Sequence, residues 1–294
     1  MAIQWKRRLA AGLVLAVLPL IMTAGSLHFH CEEVCAAQVI KEEKGPYGCL
    51  TWPQNLNAVR SEVETFKKTP KDLRADTPIA NAIYRNTHVY TNSLMLDMRQ
   101  WQAEKSLFYR VRAYDLDGHP IGPYSQPADV ESALFKTERN APIPHDPYGK
   151  GYGSVLLYPV YAYTGNPNAA SYEIEVTSKY PENLHGFSPS VHRIYAAKTE
   201  LTDLYDDAPR TGTYYWRVRG MDSTGKPVGE WSLPQEIKNP VKHWKVAVYG
   251  DSISHGGGHL SFGPADLAYS YESYLDFPSI NLSQSGDTSE AVVM

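Results

Sequence analysis

Two stretches of this chain are copies of one another. YRVRAYDLDGHPIGPYSQP, starting at Tyr109, and WRVRGMDSTGKPVGEWSLP, starting at Trp216, align without a gap at an offset of 107 residues. The identical pairs include Arg110/Arg217, Val111/Val218, Arg112/Arg219, Asp115/Asp222, Gly118/Gly225, Gly122/Gly229 and Ser125/Ser232. Solenoid units repeat every 20–50 residues or so, whereas one β-sandwich takes about 100. Each copy therefore marks a whole domain rather than one turn of a stack.

Within the repeat, Tyr109, Val111 and Ala113 alternate with Arg110 and Arg112, the pattern of a half-buried strand. Val111 and Val218 are expected inside, Arg110 and Arg217 on a solvated face. Asp-x-x-Gly then turns the chain, and a Pro-rich strand with Tyr124 or Trp231 closes the hairpin. Upstream of the second copy, VLLYPVYAYTG and SYEIEVTSKY supply two more strands, with Tyr172, Ile174 and Val176 alternating against Glu173, Glu175 and Thr177. An aromatic Arg-x-Arg strand, a glycine-bearing turn and a strand ending in Trp-Ser or Tyr-Ser resemble the fibronectin type III fold. The expected architecture is mainly β, with tandem fibronectin-like sandwiches at 46–137 and 145–239. Val59 to Arg74 is charged and reads as helix or loop, and Pro142-Ile-Pro-His-Asp-Pro reads as the linker. The abundant tyrosines invite a carbohydrate-binding reading, but core and edge positions of sandwiches account for them.

Two phrases near the C-terminus carry chemistry. In VAVYGDSISHGGG an apolar run, Val246 to Tyr249, meets Gly250-Asp251-Ser252, a buried strand ending in a tight turn that exposes a serine. In INLSQSGDTSE an apolar stretch closes on Gly286, and Asp287 with Glu290 three residues on reads as an acidic helix cap. A glycine N–H at a helix mouth is a natural donor to developing negative charge.

These residues resemble the SGNH/GDSL hydrolases: Gly250, Asp251 and Ser252 match the family's nucleophile turn, and Asn281, Ser285, Gly286, Asp287, Thr288 and Ser289 match its second block. The resemblance covers 244–294 and implies the start of a three-layer α/β domain whose serine strand is central and parallel. It implies Ser252 as nucleophile, the N–H groups of Ser252 and Gly286 as oxyanion donors, and an acyl or acetyl ester of a glycan or lipid as substrate. Gly250, Asp251, Asn281 and Asp287 support the site, Asp251 by shaping the turn. No metal or organic cofactor is implied. The family also uses an Asn in a GxND-like phrase and a His in a C-terminal DxxH, which these residues lack, so the expectation is an incomplete, inactive hydrolase portion. The competing expectation is a non-enzymatic adhesion or carbohydrate-binding protein built on the sandwiches. His255 and His259 lie just past the serine, where a side chain rarely reaches back to its own loop's hydroxyl, and neither is assigned a catalytic role.

Lys6, Arg7 and Arg8 precede an uncharged apolar run from Leu9 to Gly25, the n- and h-regions of an export signal within 1–37, with an uncleaved membrane anchor as the alternative. The expected location is therefore secreted or cell-surface. Cys31, Cys35 and Cys49 give an odd count for either cleavage point, so no disulfide framework follows. The His28-His30-Cys31-Cys35 cluster is read as part of the shed leader rather than a metal site. With 28 basic and 32 acidic residues interspersed for a net charge of −4, no nucleic-acid partner is indicated.

Overall fold

The computed structural model describes residues 45–53, 55, 57–71, 73–104, 106–130, 135–145, 155–197, 202–239, 244–255, 275 and 277–293. The expected export segment with its His and Cys cluster, the glycines at 256–258 and His259 lie outside the described residues. No helix among the described residues is long and apolar enough to cross a membrane.

The protein is mainly β, built from several small sheets. In the first pair of sheets, β1 (Tyr47–Thr51) runs between β4 (Ser93–Asp97) and β8 (Phe135–Thr137). Opposite it, β2 (Arg60–Phe66) runs between β3 (Tyr84–Val89) and β5 (Phe108–Tyr114), and the short β6 (Pro120–Ile121) and β7 (Ala128–Asp129) pair with β5. Leu50 and Leu96 from one sheet meet Tyr109, Leu107 and Val130 in a shared core. In the second pair, β11 (Val160–Thr164) lies between β9 (Ile143–Pro144) and β14 (Asp203–Tyr205). It faces β12 (Ser171–Thr177), which lies between β13 (Val191–Ala197) and β15 (Gly212–Met221), with β16 (Pro227–Val228) and β17 (Gln235–Asn239) on β15. Tyr161, Tyr163, Ile174, Val176, Trp216 and Val218 fill that core. Tyr172 and Tyr214 join them, so four of the abundant tyrosines are core residues of this unit.

The repeat is a structural unit. Asp115 and Asp222 each accept the amide four residues on, at 2.7 and 2.9 Å, which closes the hairpin turn. Gly118 and Gly225 stand at φ near +80° in that turn, a region a side chain disfavours. Ser125 and Ser232 each accept a strand amide, from Val111 and Val218, at 3.0 Å.

Arg110 and Arg217 are not exposed. Each is 1% accessible and paired with a fully buried glutamate on the adjacent strand, Arg110 with Glu64 at 2.9 Å and Arg217 with Glu175 at 2.5 Å. Loops cover this face. The remaining guanidinium nitrogens donate to the carbonyls of Arg74 and Thr77 in the first unit, and of Asn183 and Gly186 in the second. The planes lie over Tyr124 (4.0 Å) and Trp231 (4.5 Å). A guanidinium is the side chain suited to such a place, because its fork of donors meets several acceptors while its face takes an aromatic ring. Val218 is buried as expected, but Val111 is only half-buried.

Two further expectations fail for the same kind of reason. Val59 to Arg74 contains strand β2, whose charges at Glu62 and Glu64 face arginines rather than water. The Pro-rich linker is packed structure: residues 141–145 are buried, β9 pairs with β11, and the His145 amide donates to Ala162 O at 2.7 Å. The chain entering this segment also meets the second repeat, where the Glu230 amide donates to Asn140 O. A Cβ on Gly229 (φ +75°) would fall 1.9 Å from that same oxygen, whereas one on Gly122 (φ +73°) meets open space. Both glycines share the backbone penalty of about 1–2 kcal/mol for a side chain at positive φ. Gly229→Ala is therefore expected to lower stability clearly more than Gly122→Ala in parallel urea titrations.

A third sheet is all parallel: β10 (Val155–Leu156), β19 (Ser279–Asn281) and β18 (Val246–Val248), in that order. Among the described residues the serine strand is thus at an edge, with Val246 and Ala247 exposed and only Val248 buried, not the buried central strand expected. β10 comes from the segment between β9 and β11, so this sheet is joined to the second pair.

Candidate active site

Beyond β18 the chain passes through Tyr249 and Gly250 to Asp251 and Ser252, at the carboxyl ends of the parallel strands. Crevices at that end are where open parallel sheets bind ligands. Asp251 Oδ1 accepts the Ile253 amide at 3.0 Å and Asp251 O accepts the His255 amide at 3.0 Å, so one helical turn carries the half-buried Ser252. Asp251 shapes this turn. Gly250 has no room for a side chain, since a Cβ would lie 2.5 Å from Ser254 Oγ.

The second loop is stitched to the first. After β19, the Leu282 amide donates to Val248 O (2.8 Å) and the Gln284 amide to Gly250 O (3.4 Å). Asn281 is fully buried; its Nδ2 donates to Ser254 O at 2.6 Å, and its Oδ1 accepts the Ser283 amide at 2.9 Å. It therefore holds both loops in register. Gly286 follows at φ +96°, on the exposed surface where the chain turns toward a short helix, α1 (Ser289–Val293). The helix cap is Thr288, whose Oγ1 accepts the Ala291 amide at 3.3 Å, and not Asp287. Glu290 lies in the first turn, where the helix dipole favours an acid.

His255 ties three segments together. Its Nδ1 accepts the Ser285 amide at 3.0 Å, which places the ring proton on Nε2, facing Tyr158 O at 2.6 Å. Ser285 Oγ also lies 3.0 Å from Nδ1, and the Tyr205 ring packs edge-on at 5.3 Å. Burial holds the imidazole pKa below its ordinary value, so the ring is neutral near pH 7. Both nitrogens are thus engaged away from Ser252. The sequence offered one signal for this tie: His255 stands one helical turn past Asp251. Nothing in it pointed to Tyr158 or Tyr205, which arrive from the second sheet pair.

The arrangement sets a serine and a left-handed glycine on two adjoining, mutually bonded loops, each following a parallel strand. A separate group, Asp115, Asp117 and His119, brings potential ligand atoms within 4.8 Å of one another at a hairpin tip, where Asp115 already closes the turn.

No protein-family model matches the chain, and no curated protein matches it. Among solved structures it is similar to a β-1,2-glucanase from Parabacteroides distasonis, at 10% identity and a TM-score of 0.26, over 67% of this chain and 28% of that one. It is also similar to a putative β-galactosidase from Bacteroides fragilis, at 12% identity and a TM-score of 0.23, over 78% of this chain and 37% of that one. The chain spans well under half the length of either, and likeness at this level carries no argument about its fold or activity.

Proposed function

We propose that the chain contains the nucleophile-bearing portion (244–294) of an exported serine ester hydrolase of the SGNH/GDSL kind, preceded by two fibronectin type III-like units at 46–137 and 145–239. Its substrates are acyl or acetyl esters, of glycans or lipids. What supports this most is the pairing of a GDS turn after one parallel strand with an SGD turn and helix start after its neighbour, the two loops bonded to each other.

Ser252 Oγ adds to the ester carbonyl, and its proton passes to a base. The carbonyl oxygen becomes an oxyanion, which the N–H groups of Ser252 and Gly286 stabilise. Collapse expels the alcohol and leaves an acyl-serine, which water then hydrolyses. The family's base is the DxxH histidine, absent from these 294 residues, and His255 is held by Ser285 and Tyr158. The 294-residue chain is therefore expected to hydrolyse p-nitrophenyl acetate no faster than its Ser252→Ala variant, and to resist a serine-directed phosphonate probe. A longer form carrying GxND and DxxH phrases is expected to do both, with Ser252→Ala lowering its kcat/KM by a factor of about 10³ or more. Hydrolysis by the longer form that does not depend on Ser252 would overturn the reading. Ser252-dependent turnover by the short chain would assign the base to this chain, and His255→Ala and His259→Ala would identify it.

A further inference from the structure

Between the two sheet pairs lies a cleft of about 480 Å³, within the usual range of roughly 300–1,000 Å³ for ligand sites. One wall is the β3–β4 hairpin, the other the loop after β11 together with Thr202. Its floor is fixed. Ser93 Oγ bonds Thr164 Oγ1, which in turn bonds His145 Nε2 at 2.7 Å, and Cys49, Met95 and Ile143 pack together beneath. The cleft is formed before any ligand arrives.

Its lining has an unusual composition. A fifth of the chain is charged, yet among the described residues that line the cleft none is Asp, Glu, Lys or Arg. The polar side chains that line it are amides, hydroxyls and an imidazole, the exposed Asn168 and His88 among them, groups that both donate and accept. Asn166 is turned away from the opening, its Nδ2 donating to Asn140 Oδ1 and to Val228 O at 3.0 Å each, and the Thr91 hydroxyl donates to Ser93 O. A phosphate or carboxylate ligand would need a lysine or arginine that the described walls do not offer. A neutral, hydroxyl-rich ligand suits them.

The lip supplies the apolar half of the recognition. The β2–β3 register shifts between Ser61 and Val63, where β3 carries an extra residue. Asn86 Oδ1 accepts the His88 amide at 2.9 Å in this bulge, and the exposed His88 ring stands 6.4 Å from the Tyr90 ring. Bulges of this kind re-aim side chains beside binding sites. Two rings at the mouth of a polar cleft with no charged residue among its described lining match a sugar, whose hydroxyls need donors and acceptors and whose C–H face needs a flat apolar surface.

We propose that this cleft binds a neutral oligosaccharide, independently of the serine chemistry, since every residue of it lies outside 244–294. The test is calorimetric titration of the 294-residue chain with neutral hexasaccharides of β-1,4-glucan, β-1,3-glucan, β-1,4-mannan and β-1,4-xylan, with hexagalacturonate as the charged comparator. At least one neutral sugar is expected to bind with Kd below about 1 mM and hexagalacturonate not to bind. His88→Ala/Tyr90→Ala should weaken binding at least tenfold while the melting temperature holds, Asn168→Gly, which keeps the left-handed backbone, should weaken it severalfold, and Ser252→Ala should leave it unchanged. Absence of binding by all four neutral sugars, preference for the charged one, or binding that survives both lip and Asn168 variants would overturn the proposal. An effect of Ser252→Ala on affinity would show that the sugar sits elsewhere.

Discussion

Arg217→Ala is expected to destabilise the protein by about 3–5 kcal/mol, the range for breaking one side of a buried ion pair. The partner left behind is Glu175, fully buried, with Oε2 on the arginine and Oε1 on the Ser188 amide at 2.7 Å. Removing the guanidinium also orphans the carbonyls of Asn183 and Gly186 and uncovers the face of Trp231. Arg217→Lys should recover little, because a single ammonium cannot reach the carboxylate and two carbonyls in a plane. Arg217→Met/Glu175→Leu should recover a large part, since an apolar pair leaves no buried charge, although the loop carbonyls stay unpaired. The equivalent Arg110→Ala is expected to lose less. Glu64 is shared with Arg85, whose Nη2 lies 2.6 Å from Oε1, so one cation remains beside the carboxylate. Urea denaturation of these four variants checks the order. Equal losses for Arg110→Ala and Arg217→Ala, or a loss under about 1 kcal/mol for Arg217→Ala, would show that these pairs do not hold the covering loops.

These arginines also mark where reading the sequence stopped working. Alternation in Tyr109–Ala113 and Tyr214–Val218 identifies two faces of a strand, and the repeat fixes the turns, because an aspartate acceptor and a left-handed glycine act within a few residues. Which faces are covered is a non-local matter. The acceptors that bury Arg110 and Arg217 come from loops 31 to 36 residues away, whose irregular composition shows no periodicity to read. The charged β2 was misread for the same reason, its glutamates being matched to arginines on β3 and β5. At the candidate site, the GDS and SGD turns were legible because each is a local strand-to-turn signal. Asn281 was singled out by resemblance alone, and its side chain proves to bond both loops. The edge position of β18 and the joining of β10 to β19 were not legible, since pairing 125 residues apart leaves no trace in two short apolar runs.

Stability is expected to fall by about 2 kcal/mol between pH 6.5 and 8, and Asp203→Asn is expected to abolish that fall. Asp203, on β14, is buried, and neither carboxylate oxygen has a hydrogen-bond partner among the described residues. Burial pushes its pKa up to about 8 from an ordinary 3.8. The nearby Tyr163 and Tyr205 hydroxyls have raised pKa values, from burial first, and stay neutral throughout this range. The folded state therefore keeps a proton that the unfolded chain releases. The resulting stability is complete below the unfolded pKa and is lost as pH rises toward 8, at about 1.4 kcal/mol per unit. His145 acts in the opposite sense. Burial lowers its pKa to about 4 from 6.5, so the unfolded state binds the extra proton and stability is lost as pH falls from 6.5 toward 4. His255, whose pKa burial also lowers, acts with His145. From about pH 4 to 6.5 the aspartate and histidine slopes therefore oppose one another, and above 6.5 only the aspartate's remains. In Asp203→Asn the curve should be level from 6.5 to 8 and should fall below 6.5, where the two buried histidines now act unopposed. His145→Gln should make the protein lose less stability with acid below 6.5 than the wild type does, and should leave the decline from 6.5 to 8 unchanged. Urea midpoints measured across this range decide the matter. A wild-type curve that is level from 6.5 to 8, or one whose slope there persists in Asp203→Asn, would show that Asp203 is ionised in the folded protein and paired.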